Sequence, residues 1–454
     1  MSGQQGKKKV HGFMTRRKEI IGTVLASRRS VSFVLLCGVM FAVETAQGRV
    51  ELLAPEDKAM LSPVPAAQRA AMAKPTQGER RSAAACEQGP WKVPAEIRVA
   101  WRMTEGESGP WLIRVGTDPK LLEGRDWWIL AKDLIPEYSG VYSYTLSNAN
   151  LMPGRRYWWR IWSNVKCSEW ECGSTMGPNG CACGKSGPAP ASEIRTFTVE
   201  DVPPRWIALE GRTANMRDLG GWRTADGRRV RYGMVFRGEA MNDNSVSGDV
   251  PGRNRLTVED VEFLTRTLGI KTELDLRTGR EVSSMKGSPM GPSVTYVHRS
   301  SLAYKEIFSP EGMKAMGENF RLFCDKKNYP VFFHCIGGAD RTGSLAYVLN
   351  GALGVAKEDL ERDWELTFYP DIPNVVDNLT GKRFTDSTDW RSSSHFDDGF
   401  AKYAKDGDTL RDRICAYLKD CGVTENEIKQ VREIMLDRPM DGKHGLQMTE
   451  FSRK

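Results

Sequence analysis

From Pro203 onward, short apolar runs alternate along the chain with longer amphipathic runs. Short apolar runs are typical of buried strands, and the longer runs have the spacing of helices that cover a sheet. This alternation predicts an α/β domain over residues 205–440, with a mostly parallel central sheet flanked by helices. The predicted strands are Met234–Arg237, Thr272–Leu276, Val294–Val297 and Val331–His334, and the predicted helices are Thr257–Thr267, Glu311–Cys324, Thr342–Leu353, Lys357–Thr367, Thr409–Lys419 and Glu425–Leu436.

Residues 93–200 have a different pattern, because apolar and polar residues alternate there in runs rich in β-branched and aromatic side chains. Short runs of this kind, separated by turn residues, predict an N-terminal β-sandwich. The piece NLMPGRRYWWRIWS, followed by IRTFTV, resembles a fibronectin type III-like module. The predicted strands are Glu96–Trp101, Trp111–Thr117, Val141–Leu146, Arg156–Ser163 and Glu193–Val199. The chain is therefore predicted to be multidomain.

A cysteine-rich insertion, residues 167–187, interrupts this module. Its cysteines follow the spacing C-x4-C-x8-C-x-C, which is not that of a common zinc module. Disulfides are the favoured interpretation in an exported protein, and zinc binding is the alternative. The cysteines of the insertion are Cys167, Cys172, Cys181 and Cys183. Cys324, Cys415 and Cys421 are interpreted as core or paired cysteines.

The first 48 residues hold eight Lys or Arg and two Glu, so they carry +6 of the formal net charge of +7. The rest of the chain is near neutral and shows no basic stripe, which argues against a nucleic-acid partner. The apolar run Val31–Val43 follows Arg28-Arg29 and precedes small residues, in the order of a secretory signal. We therefore expect residues 1–48 to direct export to the periplasm, the medium or the cell surface. An uncleaved membrane anchor is the alternative, and it would be the chain's one membrane contact.

Three further segments show no regular spacing of apolar residues. Residues 49–92 are rich in Ala, Pro, Gln and charged residues and are predicted to be a linker. Asp371–Asp408 is polar and is predicted to be a lid-like loop or disordered. Residues 441–454 are predicted to be a tail.

The segment PVFFHCIGGADRTGS, Pro330–Ser344, places Cys335 at the carboxyl end of a buried strand, where ligands collect in open α/β sheets. Gly337 and Gly338 permit successive N–H groups to turn inward, and a helix N-terminus follows them. Such a loop forms an anion cradle of phosphate size, and its field favours a thiolate. Arg341, six residues after the thiol, has a guanidinium that is suited to grip two phosphate oxygens.

These residues predict hydrolysis of phosphomonoesters through a cysteinyl-phosphate. Cys335 attacks phosphorus, Arg341 and the loop amides hold the equatorial oxygens, and Asp340 serves first as acid and then as base. Thr342 is placed to donate a hydrogen bond to the thiolate, and His334 to fix the loop through backbone hydrogen bonds. This chemistry needs no metal and no cofactor. The predicted phosphate-binding residues are Ile336, Gly337, Gly338, Ala339 and Thr342.

HCIGGADRTG resembles the signature loop of cysteine-dependent protein tyrosine and dual-specificity phosphatases. The wider order of motifs resembles the bacterial tyrosine phosphatases related to secreted mycobacterial and listerial enzymes. That resemblance implies that Cys335, Arg341 and Asp340 carry the chemistry. The matching segments are Asn215–Gly221, Phe236-Arg237-Gly238, Asp275-Leu276-Arg277 with Glu281 after it, Asp363–Thr367 and Gly422–Ile428.

One departure from the family bears on the substrate, because family loops often have Lys where this chain has Ala339. Its absence favours phosphotyrosine over highly anionic phosphoinositides. No Trp-Pro-Asp acid loop is visible, which favours Asp340, with Asp218 and Asp371 as alternatives. The remaining predicted site residues are arginines that either line the mouth of the site or form structural ion pairs. They are Arg217, Arg237 and Arg277.

The sequence therefore predicts an exported protein phosphatase that acts on phosphotyrosine, and also on phosphoserine or phosphothreonine, in a phosphorylated protein or peptide. An inositol-phosphate or phosphoinositide phosphatase is one alternative. A surface binding protein with an inactive phosphatase-like domain is another. The sequence does not indicate an oligomeric state.

Overall fold

The computed structural model describes residues 50–84, 94–103, 110–122, 124–130, 134–138, 140–163, 191–211, 215–242, 256–369 and 393–437. The predicted signal (1–48), the cysteine-rich insertion (167–187) and the tail (441–454) lie outside the described residues. None of the helices in the described ranges combines the length and the apolar character that a membrane span requires.

Among the described residues, the N-terminal part of the chain contains nine strands in two sheets. The strands are β1 (Val50–Ala54), β2 (Ala59–Leu61), β3 (Ile97–Met103), β4 (Trp111–Gly116), β5 (Arg125–Ile129), β6 (Ile135–Tyr138), β7 (Val141–Leu146), β8 (Arg156–Trp162) and β9 (Arg195–Val199). One sheet has the order β1-β3-β7-β6 and is antiparallel. The other has the order β2-β9-β8-β4-β5 and is antiparallel except for the β2–β9 pair.

One apolar cluster draws its members from both of these sheets. Val99 and Trp101 contribute from β3, while Ile113 and Trp159 contribute from β4 and β8, and none of the four side chains is exposed. The alternation that predicted these strands therefore places every second side chain in a shared core. The five predicted strands are confirmed as β3, β4, β7, β8 and β9.

The segment 49–92 differs from the expected linker, because it holds β1, β2 and two helices. The helices are α1 (Ala66–Met72) and α2 (Gln77–Ala84). Alanine suggested a linker by its abundance, but it is also the best helix former. Helices of seven and eight residues are stable only when they pack on other elements, and both contribute to the apolar cluster that lies under the helix Asp340–Leu353.

The second half of the chain forms a five-stranded sheet with the order β10-β11-β14-β12-β13. Its strands are β10 (Arg217–Asp218), β11 (Val235–Gly238), β12 (Thr272–Asp275), β13 (Thr295–His298) and β14 (Val331–His334). Adjacent strands are parallel except for β10, which pairs antiparallel with β11 at the edge. The prediction of a mostly parallel sheet is therefore confirmed.

Helices cover both faces of this sheet. They are α3 (Val258–Glu262), α4 (Pro310–Leu322), α5 (Asp340–Leu353), α6 (Lys357–Glu365), α7 (Ser394–Ala401), α8 (Leu410–Asp420) and α9 (Glu425–Met435). The first predicted helix runs as α3 and then as a π-helix over Phe263–Thr267. α7 lies within Asp371–Asp408, where no regular structure was expected, and the rest of that prediction up to residue 392 lies outside the described residues.

The apolar run in the central strand β14 is continuous because both faces of this strand are buried. Val331 and Phe333 belong to the apolar cluster under α5, whereas Phe332 belongs to a second cluster with Leu264 on the opposite face. All three strand residues are fully buried. β14 is therefore fixed from both sides, and so is the position of the loop that leaves its carboxyl end.

The close contact between α5 and α6 gives a test of this packing. A Cβ added at Gly343 would lie 2.5 Å from Cζ3 of the Trp364 ring, and that ring cannot yield easily. We expect Gly343→Ala to lower the free energy of unfolding by about 1–3 kcal/mol, although alanine favours a helix. Chemical denaturation of the full chain measures the change.

Gly351→Ala is the matched control in the same helix. Its Cβ would meet Cδ1 of Ile414 at 2.3 Å, and this atom is the end of a flexible side chain that can move aside. A Gly343→Ala protein at least as stable as the Gly351→Ala protein would contradict the packing described here.

Candidate active site

The loop of residues 335–339 joins the end of β14 to the start of α5. His334, the last residue of β14, is paired in register with Gly238 of β11 and Asp275 of β12, so the loop leaves the sheet between the ends of two neighbouring strands. Cys335 is a free cysteine with 2% of its surface exposed, and it borders the apolar cluster under α5. The sequence predicted this position at the carboxyl edge of the sheet.

The carbonyl oxygens of this loop are held by groups outside it. The donors and acceptors are His334 Nδ1 to Cys335 O (2.9 Å), Ala240 N to Ile336 O (2.9 Å), Asn215 Nδ2 to Gly337 O (2.9 Å), Arg237 Nη2 to Gly338 O (2.9 Å) and Gly343 N to Ala339 O (2.7 Å). In a trans peptide the C=O and the following N–H point in opposite directions. The N–H groups that follow these carbonyls therefore turn to the inner side of the loop. No described residue accepts a hydrogen bond from the N–H of Ile336, Gly337, Gly338 or Ala339, and such a row of amides suits an anion.

Gly338 is required by two features of this geometry. Its φ of +65° lies in the left-handed region, which favours glycine. A Cβ at this position would also lie 2.2 Å from the carbonyl oxygen of Gly238, which is backbone and cannot turn away. The loop therefore packs against β11 more closely than any side chain would permit.

His334 holds the loop from behind, and both of its ring nitrogens are engaged. Its Nδ1 donates to the Cys335 carbonyl, and its Nε2 contacts Glu273 Oε1 at 2.8 Å. Burial alone would lower the pKa of His334, but the charge of Asp275 and the hydrogen bond to Glu273 raise it. Ligand atoms of Glu273, Asp275 and His334 lie within 4.8 Å of one another. However, an imidazolium that donates from both nitrogens has no lone pair for a metal.

Arg341 lies in the first turn of α5 and forms a bidentate ion pair with Glu281. The carboxylate accepts from Nη1 at 2.7 Å and from Nη2 at 3.2 Å. Burial alone would raise the pKa of Glu281, but the bonds from Arg341 and Thr278 lower it to about 2. Burial would lower the pKa of Arg341, whereas the hydrogen bond to Glu281 and the proximity of Cys335 raise it. A guanidinium has more N–H groups than one carboxylate can accept, so Arg341 can hold a second anion.

Asp340 and Thr342 flank Arg341 at the start of α5. The Tyr304 hydroxyl donates to Asp340 Oδ1, and the Tyr304 amide donates to Ser344 Oγ at 3.1 Å. Tyr304 is thereby fixed at both ends in a strained conformation with φ of +55°. The Thr342 hydroxyl is buried without a hydrogen-bond partner among the described residues, as suits a donor aimed at a ligand or a thiolate.

Of the two interpretations left open for Arg217, Arg237 and Arg277, the structure has the buried ion pairs. Asp363 accepts from Arg217 Nε at 3.2 Å and from Arg237 Nη1 at 2.7 Å. Arg277 Nη2 donates to Asp275 at 2.6 Å, and none of the three arginines is exposed. These three arginines are therefore members of structural ion pairs and do not line the mouth of the site.

The two alternatives to Asp340 as acid have different outcomes. Asp218 is buried and accepts hydrogen bonds from Arg205 (3.2 Å) and from the amides of Gly220 (2.9 Å) and Gly233 (2.7 Å). Burial raises the pKa of Asp218, but these partners engage both of its oxygens in holding the turn around it. Asp371 lies outside the described residues.

Sequence reasoning left out three residues that the structure brings to this site. The sequence analysis assigns no role to Glu281, which pairs with Arg341. Its position shortly after the Asp275-Leu276-Arg277 motif is the sequence feature that could have indicated one. Asp363 likewise belonged to a quoted motif. Tyr304 had no signal, because neither its left-handed backbone nor its contact with Asp340 can be recognised from neighbouring residues.

The sequence model of the tyrosine phosphatase family matches residues 207–437, which is half of the chain. The chain belongs to the tyrosine phosphatase family. The expectation of a phosphatase, a hydrolase, is thereby confirmed at the level of the family.

Comparison with individual proteins agrees with this membership. A Cupriavidus necator protein whose name proposes a tyrosine-protein phosphatase is 29% identical over 170 residues, which is 32% of this chain and 58% of that relative. This tyrosine phosphatase family member thus spans 58% of the length of the curated relative. A crystal structure of the core catalytic domain of the S. cerevisiae PP-IP phosphatase SIW14, in complex with citrate, matches with 11% identity over 32% of this chain and 77% of that one. Its TM-score of 0.20 is too low to support any inference.

The packing of Gly338 gives a test of the anion loop. We expect Gly338→Ala to weaken the binding of inorganic phosphate by about tenfold or more, equivalent to ~1.4 kcal/mol. The loop must shift to relieve the strain of a positive φ at alanine and the close contact with the Gly238 carbonyl. Phosphate-dependent protection of the full chain against thermal unfolding measures the affinity. Gly279→Ala is the matched control, since a Cβ there meets nothing within 4 Å. Equal phosphate affinity in the two variants would show that this loop is not the anion site.

Proposed function

We propose that this protein hydrolyses phosphotyrosine, and also phosphoserine or phosphothreonine, in phosphorylated proteins or peptides. The observation that carries the proposal is the row of loop amides turned inward beside the Cys335 thiol. This arrangement, with Arg341 at the start of the following helix, offers hydrogen-bond donors to each equatorial oxygen of a phosphoryl group. The family membership supports the same reaction.

In the first step, the Cys335 thiolate attacks phosphorus, and the S–P bond forms as the bond from phosphorus to the ester oxygen breaks. Asp340 transfers its proton to that oxygen, and the alcohol or phenol leaves. The loop amides and Arg341 stabilise the charge that spreads over the three remaining oxygens.

In the second step, the Asp340 carboxylate accepts a proton from water while the water oxygen attacks phosphorus. The S–P bond breaks, inorganic phosphate leaves, and the thiolate is restored. Thr342 is suited to stabilise the departing thiolate, since its buried hydroxyl has no other partner among the described residues. Tyr304 orients Asp340 through its hydroxyl.

Two observations favour phosphotyrosine among monoesters. Cys335 has 2% of its surface exposed, so a phosphate on a long aryl side chain reaches it more easily than one on a short side chain. Ala339 adds no positive charge to the loop, which favours a singly phosphorylated residue over a highly anionic inositol phosphate.

The direct test compares full-length wild type with Cys335→Ser on p-nitrophenyl phosphate, phosphotyrosine, phosphoserine and phosphothreonine peptides, and inositol phosphates. We expect phosphotyrosine to have the highest kcat/KM, and Cys335→Ser to lower it by about 10³-fold or more, because the hydroxyl is a far weaker nucleophile at neutral pH.

Cys324→Ser is the matched control, since this cysteine is also free and lies in the same domain away from the loop. Equal rates for wild type and Cys335→Ser would end the enzyme proposal and favour a binding protein with an inactive domain. A clear preference for inositol phosphates would replace the proposed substrate.

We also propose that the two N-terminal sheets form a fibronectin type III-like sandwich and that residues 1–48 direct export. The shared apolar core of the sheets supports the first statement, and the order of basic, apolar and small residues supports the second. We expect protein from cells to begin near Arg49 when its N-terminus is sequenced. An N-terminus at Met1 or Met14 would contradict cleavage.

A further inference from the structure

The helical hairpin α1–α2 lies far outside the segment that matches the family, yet it packs on the catalytic domain. Ala71 of α1 and Ala84 of α2 belong to the same apolar cluster as the helices that cover the sheet. Gln77 Nε2 donates to Ser393 Oγ at 2.8 Å, next to the first residue of α7. The hairpin is therefore part of the catalytic domain in space, although the strands β3–β9 separate the two in sequence.

Arg80 is the main polar contact of this hairpin and is 2% exposed. Its Nε donates to Glu365 Oε2 at 2.6 Å, and its Nη2 donates to Glu365 Oε1 at 3.1 Å and Glu361 Oε2 at 3.0 Å. Its Nη1 donates to the carbonyls of Lys74 and Pro75 within its own hairpin. Because Glu365 is also buried, the pair fixes α6 firmly relative to α2.

α6 in turn determines the position of the anion loop. Asp363 lies two residues before Glu365 on this helix and accepts from Arg237 Nη1 at 2.7 Å. The other end of the same guanidinium, Nη2, donates to the Gly338 carbonyl at 2.9 Å. A shift of α6 therefore moves Asp363 and Arg237, and it changes the orientation of the peptide that presents the Ala339 amide.

A second contact leads from α1 to the same network. The Trp206 Nε1–H donates to Gln68 Oε1 at 3.1 Å, and Gln68 is fully buried. The guanidinium of Arg217 lies 5.4 Å from the centre of the Trp206 ring, and Arg217 also donates to Asp363. Each helix of the hairpin is thus connected to Asp363, α2 through Glu365 of α6 and α1 through Trp206 and Arg217.

We propose that the hairpin Ala66–Ala84 is a positioning element of the phosphatase site, with Arg80 and Gln68 as its positioning residues. The functional catalytic unit of this protein then comprises the hairpin together with residues 207–437, rather than the family segment alone. The inference rests on the proposed function, because it concerns how well the loop holds a phosphoryl group.

The test uses full-length Arg80→Met, assayed well below its melting temperature. The rate is divided by the concentration of folded protein. We expect kcat/KM on p-nitrophenyl phosphate to fall by about tenfold or more, with a parallel loss of inorganic phosphate affinity, because the loop amides are displaced. Arg80→Lys retains the charge but has one nitrogen in place of the planar fork that holds both oxygens of Glu365, so we expect an intermediate loss.

Arg69→Met is the matched control in the same hairpin, since Arg69 makes an exposed ion pair with Glu200 and, among the described residues, no hydrogen bond or ion pair with α6. We expect its kcat/KM to stay within about twofold of wild type. If Arg80→Met does not fold, Gln68→Met serves instead, because it removes only the hydrogen bond to Trp206 and keeps the side-chain volume. We expect a loss of kcat/KM and phosphate affinity there too.

A folded Arg80→Met protein that melts earlier but retains wild-type kcat/KM and phosphate affinity would overturn the inference, and so would a folded Gln68→Met protein with both values unchanged. The hairpin would then be a structural support alone. If wild type itself neither hydrolyses a monoester nor binds phosphate, the proposed function fails, and the inference fails with it.

Discussion

The candidate site depends on hydrogen bonds that keep the loop carbonyls turned outward. A short loop with inward carbonyls would repel a phosphoryl group, and one with mixed orientations would hold it weakly. Here each carbonyl from Cys335 to Ala339 is engaged from outside the loop by a side chain or by a backbone amide. The donors belong to the β10–β11 side of the sheet, to the end of β14 and to α5, so the inner surface of the loop is shaped by its surroundings.

The basic side chains around this loop differ in the number of carboxylate partners that each one has. Arg237 and Arg217 share one carboxylate, Asp363, so this group keeps an excess of positive charge near the loop. His334 lies behind the thiol beside the carboxylates of Glu273 and Asp275, whose charges raise its pKa. Arg341 is paired with one carboxylate.

The sequence predicted the parts of this arrangement that depend on neighbouring residues. The strands β11, β12, β13 and β14 were identified to within two residues, because each is a short strand-like run that alternates with helical ones. The anion loop was identified because paired glycines, a thiol and an arginine lie close together in the chain. β10 was missed, since two charged residues give no strand signal even though they are fully buried.

Other features could not be predicted because they depend on distant residues. Arg80 and Glu365 are separated by 285 positions, and nothing near either residue indicates the other. Alanine-rich helices of seven and eight residues have no stability of their own, so their composition looked like that of a linker. For Arg217 and Arg237 the choice between ion pairs and the mouth of the site could not be made from sequence for the same reason, since Asp363 comes from a helix far along the chain.

The path of the chain has a mechanical consequence. From residue 50 onward, the chain contributes β1 and β2 to the N-terminal sheets, passes to the phosphatase-family domain in α1 and α2, returns for β3 to β9, and crosses again before β10. Two modules joined by one tether can swivel, whereas three separate crossings restrict rotation about any single axis. A force applied to the sheets of this protein would therefore pass into the helices that surround the catalytic domain and would not be absorbed at a hinge.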